Sequence, residues 1–217
     1  MLESEIRKLV SENGNLINLN YEYESDMPIG YYSPVTSYEG NIWHNIFIQA
    51  NLPQDERQKV LIHEMFHIYL RELKYDYEEV IGQHNRFSES ESISSQLANL
   101  FDHWILISAV GVDSNSIFFN QLNDSKNVIV NIESQDVEMQ ITNALALLDY
   151  SICLNVKIEI SLIKNEGLRL LFSQIYNLKE ILVFTNSIEY LNMDFRNQYF
   201  EKIRLFLAEL NNIIHHN

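Results

Sequence analysis

Apolar and polar residues alternate over Ile17, Leu19, Tyr21 and Tyr23, the period of a half-buried strand. Before it, residues 2–12 have the spacing of a short amphipathic helix, which Asn13-Gly14 ends. Residues 27–40, punctuated by Pro28, Gly30 and Pro34, read as turns and short extended pieces. Residues 42–49 (Ile-Trp-His-Asn-Ile-Phe-Ile-Gln) are rich in β-branched and aromatic side chains and predict a further strand. Pro53, with Asp55 and Glu56 close behind, opens a helix that runs to about Leu73. Val60, Leu61, Ile62, Met65, Phe66, Ile68, Tyr69 and Leu70 make that helix apolar nearly all round, so it is expected to be buried.

The rest of the chain has no proline and only three glycines, which suits a mostly helical remainder. Residues 74–87 read as a polar loop, 88–110 as a second helix, 111–126 as irregular and 127–132 as a short strand. Long helices are expected over 134–154 and 193–214. Between them, Val156 to Ile160 alternates like a strand, while 168–183 has helical spacing. There is no internal repeat and no low-complexity segment. The pattern predicts an α+β fold: strands before the 53–73 helix, then a mostly helical remainder.

Charge narrows the partners. The chain has 217 residues and a net charge of −15. Acidic residues exceed basic ones by five in each of 1–53, 54–110 and 111–217. No segment carries the basic stripe that a phosphate backbone requires, so no direct nucleic-acid binding is expected. The acidic N-terminus, Met1 to Lys8, is unlike a secretory leader. The longest apolar run, Trp104 to Val112, falls short of a membrane span. A cytoplasmic location with no membrane partner is the expectation. The single cysteine, Cys153, is expected to exclude an internal disulfide and a Cys-based zinc site, and its apolar neighbours suggest a buried, inert thiol.

One motif carries chemistry: His63-Glu64-Met65-Phe66-His67, in the middle of the predicted helix. Histidines at i and i+4 share a face, a turn apart, and can bind one Zn²⁺ through ring nitrogens. The intervening Glu64 flanks the metal's open position, where it can act as general base towards water. Chance would place this pattern in about one chain in a hundred of this length, so it is a strong hint. A catalytic zinc uses three protein ligands. Glu91, 24 residues beyond His67 at the start of the second predicted helix, is the choice for the third. Glu89 and Asp102 are the rival ligands, and Asp102 also suits a supporting role behind the ligands.

Here the residues resemble the gluzincins, thermolysin-like zinc peptidases with a downstream Glu-x-x-Ser/Ala-Asp. Glu91, Ser94 and Ser95 fall on that pattern, with Ser95 where the family has Asp, a weaker partner for a ligating imidazole. Size and layout over about residues 15–110 look most like the ImmA/IrrE group of small bacterial zinc peptidases, common on mobile elements. Ala98-Asn99-Leu100-Phe101 echoes that group's second helix, although Leu97 stands at its acidic position. The resemblance implies a zincin-like domain over 1–111 with a small antiparallel sheet packed on the 53–73 helix, a mainly helical region over 112–217 for substrate or partner recognition, a Zn²⁺ cofactor, and cleavage of a specific protein or peptide such as a regulator. It also implies a donor for the developing oxyanion, for which Tyr31, Tyr32, His44 and His84 are candidates. The strand at 42–49 stands where such enzymes pair with an extended substrate.

Other readings remain open on sequence alone. The fold can hold zinc as a structural staple in a non-catalytic binding protein, or the motif can be accidental in a helical interaction module. His84 reads as a loop histidine, His103 as packed or exposed on the second helix, and His215 and His216 as a frayed end. Asp113, Asp124 and Asp136 lack the spacing of a calcium loop.

Overall fold

The computed structural model describes residues 3–23, 29–75, 77–83, 87, 89–110, 117–134, 136–182 and 193–215. The chain divides into two compact units, Met1–Asp76 and Tyr77–Asn217. The helix that begins at Glu91 falls in the second of these units.

The first unit is built on a three-stranded sheet. Helix α1 (Glu3–Glu12) buries Ile6 and Val10. It stops where Gly14 takes φ +75°, a conformation that glycine adopts without a Cβ penalty. Strands β1 (Leu16–Glu22), β2 (Gly30–Thr36) and β3 (Ile42–Gln49) follow in spatial order β1-β3-β2. β3 pairs antiparallel with β2 and parallel with β1, so the sheet is mixed and the expected all-antiparallel arrangement is corrected. A parallel pair requires a crossover, and β2 forms part of the connection between β1 and β3. β2 itself is longer than the short extended pieces expected there. Pro34 and Gly30 read as punctuation, yet β2 is an edge strand, where proline is tolerated.

Helix α2 (Gln54–Glu72) covers the inner face of the sheet, where His44, Ile46 and Ile48 are fully buried. Val60, Met65 and Ile68 on α2 are also fully buried, which meets the expectation of a buried helix. The approach of α2 leaves no room for a side chain at Gly30. A Cβ built there would overlap Val60 Cγ1 and stand 3.2 Å from Glu64 Oε1. The missing side chain therefore sets how near α2 lies to β2.

The second unit is helical. It contains α3 (Glu78–Gly82), α4 (Glu91–Val110), α5 (Ile117–Asn131), α6 (Val137–Cys153), α7 (Glu166–Ile175) and α8 (Met193–His215). A 3₁₀ segment, Tyr176–Leu182, continues α7. Asp136 caps α6 through Met139 N at 2.8 Å, and Asn165 caps α7 through Leu168 N at 2.8 Å. Tyr77, Phe101, Trp104, Tyr199 and Phe206 form an aromatic core. Within it the Tyr199 hydroxyl donates to the Phe101 carbonyl at 2.5 Å.

Three expectations fail in this unit. The polar loop at 74–87 contains α3 and buries Tyr75, Tyr77, Val80, Ile81 and Phe87. The irregular stretch and short strand expected over 111–132 are α5 where described. The run Val128-Ile129-Val130 favours a strand, but packing of α5 on α6, with Ile129 and Val130 buried, overrides that propensity. Val156 to Ile160 forms no strand and leads into a 3₁₀ turn at Ile160–Leu162. A strand needs a neighbour to satisfy its backbone groups, and among the described residues the strands all belong to the first unit. Among the described residues, no helix is long and apolar enough to cross a membrane.

Gly30→Ala should destabilise the chain by about 1–3 kcal/mol, because Val60 and Glu64 must move to admit the methyl group. A urea titration checks this, and an unchanged midpoint would refute the close approach.

Candidate metal centre

His63 and His67 stand one turn apart on α2, both half-buried. Their Nε2 atoms are 3.3 Å apart, and their ring planes meet at 72°. Two nitrogens bound to one tetrahedral zinc at about 2.0–2.1 Å stand roughly 3.3 Å apart. The pair as placed therefore fits two corners of a zinc site. A direct N–H···N hydrogen bond of that length would be long.

Glu64, about 100° round the helix from His63 and about 60° from His67, is buried at 4% exposure with a carboxylate oxygen beside Gly30.

A second polar group lies at the end of α2. Glu72 is 6% exposed and accepts three side-chain hydrogen bonds: from Asn13 Nδ2 at 2.5 Å, Asn15 Nδ2 at 2.8 Å and His44 Nε2 at 2.5 Å. The other ring nitrogen of His44, Nδ1, meets the Tyr32 hydroxyl at 2.8 Å. Asn15 also accepts from the Ile42 backbone at 2.8 Å. A carboxylate at a helix C-terminus faces the unfavourable end of the helix dipole, so these donors are what make its burial tolerable. The network ties the α1–β1 turn, β2 and β3 to α2.

His44, a candidate oxyanion donor on sequence, is fully buried with its ring nitrogens engaged by Tyr32 and Glu72. One expectation, that residues 42–49 pair with an extended substrate, is corrected by the sheet order. β3 is the central strand, paired on both sides, and cannot add a substrate strand. Of the other oxyanion candidates, Tyr32 is bonded to His44, Tyr31 stacks on Phe47 at 4.6 Å, and His84 lies outside the described residues.

The remaining expected residues belong to the second unit. Glu91 is exposed in the first turn of α4, where a carboxylate also suits the helix dipole. Ser90 and Ser92 fix that turn by donating to Glu138 Oε1 at 2.6 and 2.9 Å. Ser95 and Glu89 are exposed. Asp102 lies against the buried Tyr77. Burial chiefly, then the Asp102 charge, pushes the Tyr77 hydroxyl pKa well above its ordinary value.

Sequence reading missed Glu72 and Asp149. Glu72 carried no signal beyond being an acidic residue at the end of an apolar helix. Asp149 did carry one, because it precedes Cys153 by four residues, the spacing that drew attention to His63 and His67. Asp149 is 2% exposed and meets His103 Nδ1 through Oδ2 at 2.9 Å and Oδ1 at 3.1 Å.

No family model, curated protein or solved structure matches this chain.

Burial pushes the His44 imidazole below its ordinary pKa of 6.5, and the Glu72 hydrogen bond opposes this only in part. The folded chain therefore resists a proton that the unfolded chain takes up near pH 6.5. This contribution leaves stability unchanged above that pH and lowers it as pH falls towards the folded-state value. His44→Gln should flatten the fall in melting temperature as pH drops below 6.5. An unchanged slope would show that His44 titrates normally. Glu72→Ala should cost about 3–5 kcal/mol in a denaturant titration, since it strands buried donors; a loss below 1 kcal/mol would contradict the buried network.

Proposed function

We propose that the chain is a zinc-dependent peptidase of the gluzincin, ImmA/IrrE-like kind, acting on a specific protein or peptide such as a regulator. The observation that carries this reading is the 3.3 Å separation of His63 Nε2 and His67 Nε2, with Glu64 between them in sequence and buried beside Gly30. Zn²⁺ held by the two imidazoles supplies Lewis-acid activation of a water and of the substrate carbonyl. Glu64 takes the water's proton and passes it to the leaving amine, so its carboxylate must reach both atoms in turn. Sequence spacing proposes Glu91 as the third protein ligand, with Glu89 and Asp102 as its rivals.

Substrate pairing falls to β2. Its outer side has no partner strand among the described residues, and its first residue, Gly30, lies against Glu64. An extended peptide added there gains backbone hydrogen bonds and passes the general base. Pro34 limits the length of that edge, because it has no N–H to offer.

Elemental analysis of the purified chain should find zinc, and His63→Ala should lose it. Against a peptide library read by mass spectrometry, Glu64→Gln should retain zinc and cut at least about 10²-fold more slowly. Zinc retained with no cleavage by the unmodified chain would favour the structural-staple reading. Equal cleavage by Glu64→Gln would remove Glu64 as the base.

A further inference from the structure

Helices α4 and α6 pack together in the second unit and bring three ligand types into one place. Asp149 and Cys153 are one turn apart on α6, and His103 comes from α4. Cys153 Sγ donates to Asp149 Oδ1 at 3.3 Å, while His103 Nδ1 lies 2.9 Å from Asp149 Oδ2. A nitrogen, an oxygen and a sulfur from these residues all lie within 4.8 Å of one another. Asp149 is 2% and Cys153 8% exposed, whereas the His103 side chain is 15% exposed and gives the cluster an edge towards solvent.

These separations are close to those of a tetrahedral ion. From the usual zinc bond lengths, nitrogen and oxygen ligands stand roughly 3.3 Å apart, and sulfur and oxygen roughly 3.5 Å. The His103–Asp149 and Asp149–Cys153 separations would widen by only a few tenths of an ångström. We propose that His103, Asp149 and Cys153 form a second metal site, for a thiophilic divalent ion of the zinc class. A thiolate and an imidazole select such an ion over magnesium or calcium, which prefer oxygen ligands throughout.

The proton balance is definite. Before binding, the imidazole Nδ1–H and the thiol S–H both point at the Asp149 carboxylate. On binding, the ring keeps its one proton on Nε2, Nδ1 becomes a ligand, and the thiol proton leaves to solvent. One proton is released per ion. The thiolate and carboxylate then cancel the charge of the divalent ion, so the buried site is neutral and needs no further counter-ion. Burial pushes the Cys153 thiol well above its ordinary pKa, with the Asp149 charge adding to the effect. Affinity should therefore rise with pH.

Co²⁺ is the probe, added to the full chain under reducing, oxygen-free conditions. Cys153 is the sole cysteine, so a thiolate-to-cobalt charge-transfer band in the near ultraviolet reports this site alone. One equivalent of band is expected, lost in both Cys153→Ser and Cys153→Ala. His103→Ala and Asp149→Asn should each weaken Co²⁺ binding at least about tenfold. The band should persist in His63→Ala/His67→Ala, which separates this site from the proposed peptidase centre. No band in the folded, unmodified chain at saturating Co²⁺ would overturn the proposal. So would a band of unchanged affinity in His103→Ala, or a band that disappears with His63 and His67.

Discussion

The closeness of α2 to the sheet at Gly30 governs the first unit. Val60 and Glu64 occupy the space that any larger residue on β2 would need. With that contact set, the helical period dictates the rest. Glu64 faces the sheet, while His63 and His67 share the half-exposed face with their Nε2 atoms 3.3 Å apart. At the far end of the same helix, Glu72 is held by Asn13, Asn15 and His44. The middle of α2 is thus positioned by the lack of a side chain at Gly30 and its C-terminal end by a satisfied carboxylate. Together they limit both sliding and rotation of the helix between them.

Much of this was legible because it is local. The helix with its five-residue motif, the strands at Leu16–Glu22 and Ile42–Gln49, and helices α6 and α8 all follow from short-range periodicity. What escaped depends on partners distant in sequence. The parallel pairing of β1 with β3 leaves no trace in either strand's own pattern. β2 was obscured because Gly30 and Pro34 break strands in general, and only its edge position makes Pro34 acceptable. α5 was misread because intrinsic preference in Val128-Ile129-Val130 yields to packing against α6. Within the candidate site, the motif residues were readable from spacing. The role of His44 was not, since its partner Glu72 lies 28 residues away.

Buried carboxylates in the two units are stabilised differently. Glu72 meets two amides and an imidazole within the protein, so its hydrogen-bonding capacity is largely met by fixed donors. Asp149 meets an imidazole and a thiol, both of which can exchange a proton for something else. The first arrangement is suited to rigidity, because nothing in it gains by rearranging at neutral pH. In the second, the donors are also ligands. The same burial that stabilises one as a structural hub gives the other a capacity for exchange.

The placement of Cys153 has a practical consequence. As the chain's sole sulfhydryl, at 8% exposure within the packing of α6, it is shielded from alkylating reagents while that helix stays docked. Modification must await local opening, so where reclosing outpaces alkylation its rate gives the free energy of that opening. The second unit thereby contains its own gauge of fluctuation, readable without an engineered probe.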